Sequence, residues 1–303
     1  MTRSLRGWYR ARSGKAEARE RSGLRRAVRT PPAGMRGRAR DRSIDGHRPG
    51  NRPYSAGMAT PDTFPAALTA TLRTDPGRPL VTFYDDATGE RVELSVATYA
   101  NWVAKTAGLA QDELDLERGG LLLVDLPTHW LGAVWLGAAW SLGLAVTDDP
   151  QLAGEADLVV CGPDGVQTYA AQADRVPVVA LSLRPLGGRF TEALPTGVTD
   201  YGAVVLAQPD AFTAYDPPAG DDVAWRNPSG TSTQADLLAE AAAAQVVTPQ
   251  GRLLTGVNPC TRAGAVTLLA PVATGAGVVW VRHPDEAGWD RRAEQERATA
   301  VLR

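Results

Sequence analysis

From residue 63 onward, apolar residues come in short runs separated by polar, Gly- or Pro-rich turns, and the period of each run predicts its element. Residues 63–74 carry Phe64, Ala67, Leu68 and Leu72 at helical spacing, and Asp75-Pro76-Gly77 ends the helix. Residues 80–84 and 91–94 flank Asp85-Asp86-Ala87-Thr88-Gly89-Glu90, which predicts a β-hairpin. Ser95 is placed to cap a helix running to about residue 109, with Val96, Tyr99, Val103 and Ala107 on one face. Residues 121–126 read as an apolar strand stopped by Pro127. Residues 130–142 read as a helix apolar on most sides, hence buried between layers. Short strands follow at 144–147, 158–161 and 176–181, with a helix at 166–173. Residues 184–200 and 208–222 are rich in Gly, Pro and Asp and read as loops around a short helix at 201–207. A strand at 222–225 and a helix at 233–245 precede a strand–helix–strand unit at 253–257, 263–273 and 277–281. A polar helix over 286–302 closes the chain. Strands alternating with helices predict an α/β fold: layered, with a mainly parallel sheet and flanking helices.

Two uncharged stretches, 130–147 and 263–281, approach the length of a membrane span. Gly132, Gly137 and Gly143 interrupt the first; Gly264, Pro271, Gly275 and Gly277 interrupt the second. Each reads better as a buried helix, a Gly break and a buried strand. The N-terminus lacks the apolar core of a signal peptide, so the expectation is a cytoplasmic protein with no membrane partner.

Charge divides the chain. The net charge of −2 over 303 residues conceals residues 1–57, with 16 basic and four acidic side chains and a net +12. Those residues have almost no aliphatic side chains beyond Leu5, Leu24, Val28 and Ile44, a composition that predicts disorder. Three readings are open: a basic arm for nucleic acid, an organellar targeting peptide, or a mis-assigned start with the true one near Met58. Met58 directly precedes the first helix pattern, which favours the third. Residues 58–303, at −14, are then the α/β domain.

Chemistry-bearing residues are sparse. Cys161 and Cys260 are isolated, and His47, His129 and His283 form no ligand spacing, so no metal site is expected. His129 follows Pro127 at a strand-to-helix junction, where α/β proteins place ligands, and equally reads as a helix-start residue. Asp148-Asp149-Pro150 could bind a cation, but turn chemistry explains it. Trp102, Trp130, Trp135 and Trp140 sit at helix positions and suit a core or an interface.

The order of elements over 63–285 resembles the opening of adenylate-forming (AMP-binding) enzymes, the superfamily of acyl-CoA synthetases. The resemblance rests on Leu80-Val-Thr-Phe-Tyr-Asp with its hairpin, Glu93-Leu-Ser-Val-Ala-Thr-Tyr, and Leu116-Glu-Arg-Gly-Gly-Leu-Leu-Leu-Val-Asp-Leu-Pro. Leu136-Gly-Ala-Ala-Trp-Ser-Leu-Gly-Leu-Ala-Val-Thr-Asp-Asp-Pro and Leu268-Leu-Ala-Pro-Val-Ala-Thr-Gly-Ala-Gly-Val-Val-Trp-Val complete it. The match is one of patterned apolar segments. More closely, the chain resembles a short bacterial family that matches only the front of these enzymes.

The superfamily's phosphate loop has the form Ser-Gly-Thr-Thr-Gly-x-Pro-Lys-Gly, whose amides, hydroxyls and lysine wrap ATP phosphates. The matching residues here are Ser229, Gly230, Thr231, Ser232 and Thr233, followed by Gln234-Ala235-Asp236. Thr233 replaces a glycine, and Asp236 stands where the resemblance places lysine. The same stretch also reads as a helix start, with Thr233 as N-cap and Asp236 in the first turn. No lysine follows Lys105, and no Tyr-Gly-x-Thr-Glu or Tyr-x-Thr-Gly-Asp motif occurs. The segment Asn258-Pro259-Cys260-Thr261-Arg262 lacks the histidine the resemblance implies.

These features predict a truncated, catalytically inactive relative of adenylate-forming enzymes with a binding or scaffolding role. Residues 229–233 would be a degenerate site for ATP or AMP. Other expected partners are a small acyl or nucleotide ligand, a second copy, or another protein covering apolar surface. The alternative is an acyl-adenylate ligase completed by a partner chain that supplies the missing lysine. A nucleic-acid partner requires that residues 1–57 be translated.

Overall fold

Parallel strands covered on both faces read as unbroken apolar runs, and the runs here sort their side chains by twos. The computed structural model describes residues 61–303; the basic segment 1–57 and the expected start at Met58 lie outside the described residues. The elements are α1 (Phe64–Thr74), β1 (Pro79–Asp85), β2 (Glu90–Ser95), α2 (Val96–Gly108), β3 (Leu121–Asp125), α3 (Trp130–Leu142), β4 (Ala145–Thr147), β5 (Leu158–Cys161), α4 (Val166–Ala170) and β6 (Val178–Ala180). They continue with β7 (Val198–Asp200), α5 (Tyr201–Val204), β8 (Val223–Asn227), β9 (Gly230–Thr233), α6 (Gln234–Ala244), β10 (Arg252–Thr255), α7 (Val266–Thr274), β11 (Gly277–Arg282), α8 (Trp289–Gln295) and β12 (Ala300–Leu302).

The α/β, mainly parallel architecture is present, but the strands divide between two sheets. Sheet A has the order β12-β10-β11-β1-β2 and sheet B the order β7-β6-β5-β3-β4-β8-β9. Among the described residues only β1–β2 and β8–β9 pair antiparallel. Helices α1, α2, α3, α6 and α7 share one core with the inward side chains of both sheets, among them Leu122 and Val124 of β3 and Val278 and Trp280 of β11. The alternate residues face outward: Leu123 and Val159 pack with Val166 and Tyr169 of α4, and Val279 and Val281 pack with Trp289 of α8.

Helix α3 occupies the middle of the inner layer, and all 13 of its residues are buried. Its glycines allow close approach. A Cβ on Gly132 would lie 2.4 Å from Cys260 Sγ, and one on Gly137 would lie 2.6 Å from the Tyr99 hydroxyl. Trp130, Trp135 and Trp140 are core residues, whereas Trp102 is half-buried. Among the described residues no helix is long and apolar enough to cross a membrane. Both suspect stretches fold as helix, left-handed Gly and strand: α3–Gly143–β4 and α7–Gly275–β11.

The C-terminal segment departs from expectation. Residues 286–302 were expected as one polar helix, but α8 stops at Gln295, Arg297 turns the chain at φ 51°, and β12 pairs parallel with β10. Pairing of Ala300, Val301 and Leu302 with Leu253, Leu254 and Thr255 outweighs the helical propensity of the polar stretch. The loop expected over 184–200 likewise ends in β7, which joins the edge of sheet B.

Candidate functional site

The residues matching the phosphate loop form a β-hairpin rather than a wrapped loop. Asn227 pairs with Gly230 and Arg226 with Thr231, leaving Pro228-Ser229 at the tip. The Asn227 side chain accepts the Ser229 N–H at 2.9 Å, and Gly230 supplies the turn with φ 143°. Ser229, Gly230 and Thr231 are exposed, and Ser232 and Thr233 are half-buried.

Thr233 and Asp236 close a capping box on α6. The Asp236 N–H donates to the Thr233 hydroxyl at 3.1 Å, and the Thr233 N–H donates to the Asp236 carboxylate at 2.9 Å. The Thr233 donors hold the Asp236 carboxyl below its ordinary pKa. The helix start that would attract an external anion thus already holds an internal one.

Sequence reasoning passed over Arg262 as a site residue. Its guanidinium donates to the Ser232 hydroxyl at 3.2 Å and to the Glu240 carboxylate at 2.6 and 3.3 Å. Its backbone N–H donates to Asp148 at 3.1 Å. The hairpin and α6 therefore meet at the Arg262 guanidinium, and the end of β4 is tied to the backbone of the same residue. The only signal in the sequence was an arginine two residues past Cys260, in the segment matched to the missing histidine.

Asn258 fixes that loop: its amide donates to the Leu126 carbonyl at 2.8 Å and its oxygen accepts the Cys260 N–H at 3.0 Å. Cys260 is buried, and burial drives its thiol pKa upward, as it drives that of Cys161 to about 12. Neither is poised as a nucleophile. Asp149 caps the turn Pro150–Gly154 through the Gln151 N–H at 2.9 Å, in keeping with turn chemistry. Among the described residues no cluster of His, Cys, Asp and Glu could hold a metal ion.

His129 starts α3. Its Nδ1 accepts the Leu131 N–H at 3.2 Å, its ring packs 4.7 Å from that of Phe83, and its Nε2 is buried without a partner. Burial, with the Arg282 charge nearby, lowers its pKa to about 3 and keeps the ring neutral.

No family model matches the chain. In fold it is similar to the acyl-CoA synthetase of Brucella canis, with TM-score 0.64 and 16% identity over 78% of this chain and 46% of that one. It is similarly close to a fatty acyl CoA synthetase of Mycobacterium tuberculosis, with TM-score 0.60 and 14% identity over 78% and 48% of the two chains. Identities this low establish an acyl-CoA-synthetase-like fold, and the chain spans about half the length of either synthetase. A TIGR03089 family protein of Mycobacterium tuberculosis (strain ATCC 25618 / H37Rv) is 39% identical over 254 residues, 81% of this chain and 100% of that protein. With that identity across the whole of the relative, the chain belongs to the TIGR03089 family.

Proposed function

We propose that this chain is a non-catalytic binding or scaffolding protein built on the first part of an adenylate-forming fold. One observation carries the reading: at the position the resemblance gives to the phosphate-loop lysine stands Asp236, locked with Thr233 in a capping box. A phosphate approaching the α6 N-terminus meets a carboxylate instead of an ammonium. It also finds the Thr233 hydroxyl and N–H already engaged. Arg262 is the nearby cation, but Glu240 neutralises it at 2.6 Å. Binding partners that suit the reading are a small acyl or nucleotide ligand, a second copy, or another protein.

Calorimetry of the full chain with Mg·ATP and AMP, alongside a pyrophosphate-exchange assay, tests it. The expected result is no ATP-dependent exchange, and no nucleotide affinity that changes in Ser229→Ala or Thr231→Ala. Exchange by the chain alone would overturn the proposal. Exchange appearing only with a second protein would replace it with a ligase completed by a partner.

A further inference from the structure

Two leucines stand in solvent beside the same stretch of α2. Leu186 and Leu206 are 77% and 64% exposed, the most of any leucine among the described residues. Leu186 lies in the loop after β6, and the next residue, Gly187, sits against Trp102 of α2: a Cβ there would lie 3.4 Å from the indole. Leu206 lies in the turn after α5, between Tyr201 and Gln208. The Tyr201 hydroxyl is 2.7 Å from that of Thr106, and the Gln208 carbonyl accepts from Lys105. Trp102 and Thr106 are one turn apart on the helix, about 6 Å along its axis. The loop and α5 also touch directly, since a Cβ on Gly202 would lie 2.7 Å from the Gly187 and Gly188 carbonyl oxygens. Leu186, the half-buried Trp102 and Leu206 therefore belong to one apolar patch.

Backbone strain holds the patch out. Leu186 has φ 59° and ψ 23°, the left-handed region that favours glycine. A leucine is thus kept in water, in a strained conformation, at a position glycine would fill more easily. Strain of this kind concentrates at functional surfaces, and an exposed apolar patch marks a site of association.

The charges around the patch are polarised along α2. Arg184 and Arg189 flank Leu186, both exposed, and neither side chain forms an ion pair among the described residues. At the other end, past Leu206, Asp210 reaches Lys105 at 3.0 Å, and the chain leaving α2 carries Asp112 and Glu113. Asp112 and Asp210 are exposed.

We propose that this patch is the two-fold interface of a homodimer. A two-fold axis sets one surface against itself with its ends exchanged. The arginine end of each protomer then faces the acidic end of its partner, twice over, while Leu186, Trp102 and Leu206 pack about the axis. Opposite charges at opposite ends are the self-complementary pattern that such a contact requires, which favours a second copy over an unrelated protein. The proposal selects the second copy from the partners open to the scaffolding reading, and its failure would leave that reading with the others.

Sedimentation velocity and light scattering of the full chain, from low to high micromolar concentration, test it. The chain should run as a dimer that dissociates on dilution. Leu186→Gly should weaken the dimer about a hundredfold, because two leucines leave each interface. Urea denaturation of the dilute Leu186→Gly monomer should show no loss of stability, because glycine adopts φ 59° freely. Arg184→Glu with Arg189→Glu should give monomers, and so should Asp112→Lys with Asp210→Lys. Mixing those two double variants should recover a dimer, since both ends then attract. A monomer at every concentration, a dimer indifferent to Leu186→Gly, a mixture that stays monomeric, or a mass that grows past the dimer would each overturn the two-fold interface.

Discussion

Replacing Gly132 with alanine sets a methyl group against the sulfur of Cys260. In an open helix the change would stabilise by about 1 kcal/mol, since glycine is the poorer helix former. Here the new Cβ would lie 2.4 Å from Cys260 Sγ, more than 1 Å inside an ordinary contact. Neither side can yield cheaply. Every residue of α3 is buried, and Cys260 is tethered through Asn258 to the Leu126 carbonyl. Overpacking of this kind costs about 1–3 kcal/mol, and the rigidity on both sides places it near the upper end. Cys260→Ala alone removes one buried sulfur, at about 1 kcal/mol by the scale of small core deletions. In the double variant the alanine methyl occupies the space the sulfur vacates, so the two costs should largely cancel. Urea and thermal denaturation of the four proteins read the cycle. Gly132→Ala should lower Tm by about 5–12 °C, at about 2–4 °C per kcal/mol for a domain of this size. The double variant should return to within about 4 °C of the parent, a coupling of about 3 kcal/mol. Additive effects, or a neutral Gly132→Ala, would refute the packing of α3 against the loop before α7.

Two further outcomes follow from the same structure. His129 has a folded pKa of about 3 against an unfolded value of 6.5, so below pH 6.5 the unfolded chain binds the extra proton. Its contribution is complete above pH 6.5 and declines as the pH falls towards 3, costing about 2 kcal/mol between pH 6.5 and pH 5. His129→Asn, which retains an N-cap side chain, should flatten that part of the urea-midpoint profile; an unchanged slope would place the titration elsewhere. Thr233→Ala removes the cap of α6 and should cost about 1 kcal/mol in urea denaturation, while Thr233→Ser should restore most of it. Equal stability of the two variants would mean that the capping box contributes nothing.

The elements that were legible in the sequence are those whose apolar period is complete within the element. Helix α3, apolar on every side, could only be buried, and the burial of both faces of β3 and β11 follows from runs too apolar to face water. Ser95 and Thr233 announced their helix starts, and both cap as local chemistry dictates, at 3.1 Å each. What stayed hidden depends on partners far along the chain. The three residues of β12 have no strand signature until β10 lies beside them. The division into two sheets follows from pairing choices, such as β1 with β11, that no local pattern encodes. Arg262 was invisible for the same reason: its partners Ser232 and Asp148 lie 30 and 114 residues away.

The fate of the hairpin at 229–233 turns on the α6 N-terminus, whose N–H groups can be satisfied only once. In a phosphate loop they are left for the ligand, and glycine at the position of Thr233 lets the chain curl around it. Here Thr233 takes extended backbone, at φ −80° and ψ 171°, which lets Ser232 and Thr231 pair with β8 as a strand. The same conformation aims the Thr233 hydroxyl at the Asp236 N–H, and Asp236 returns the bond. Strand, cap and carboxylate reinforce one another, so a bound phosphate would have to break all three while facing a like charge. Asp236→Lys alone would leave Thr233 and the strand pairing in place. A wrapped loop therefore requires Thr233→Gly as well, and only a chain carrying both changes is a fair test of whether this scaffold can hold a nucleotide.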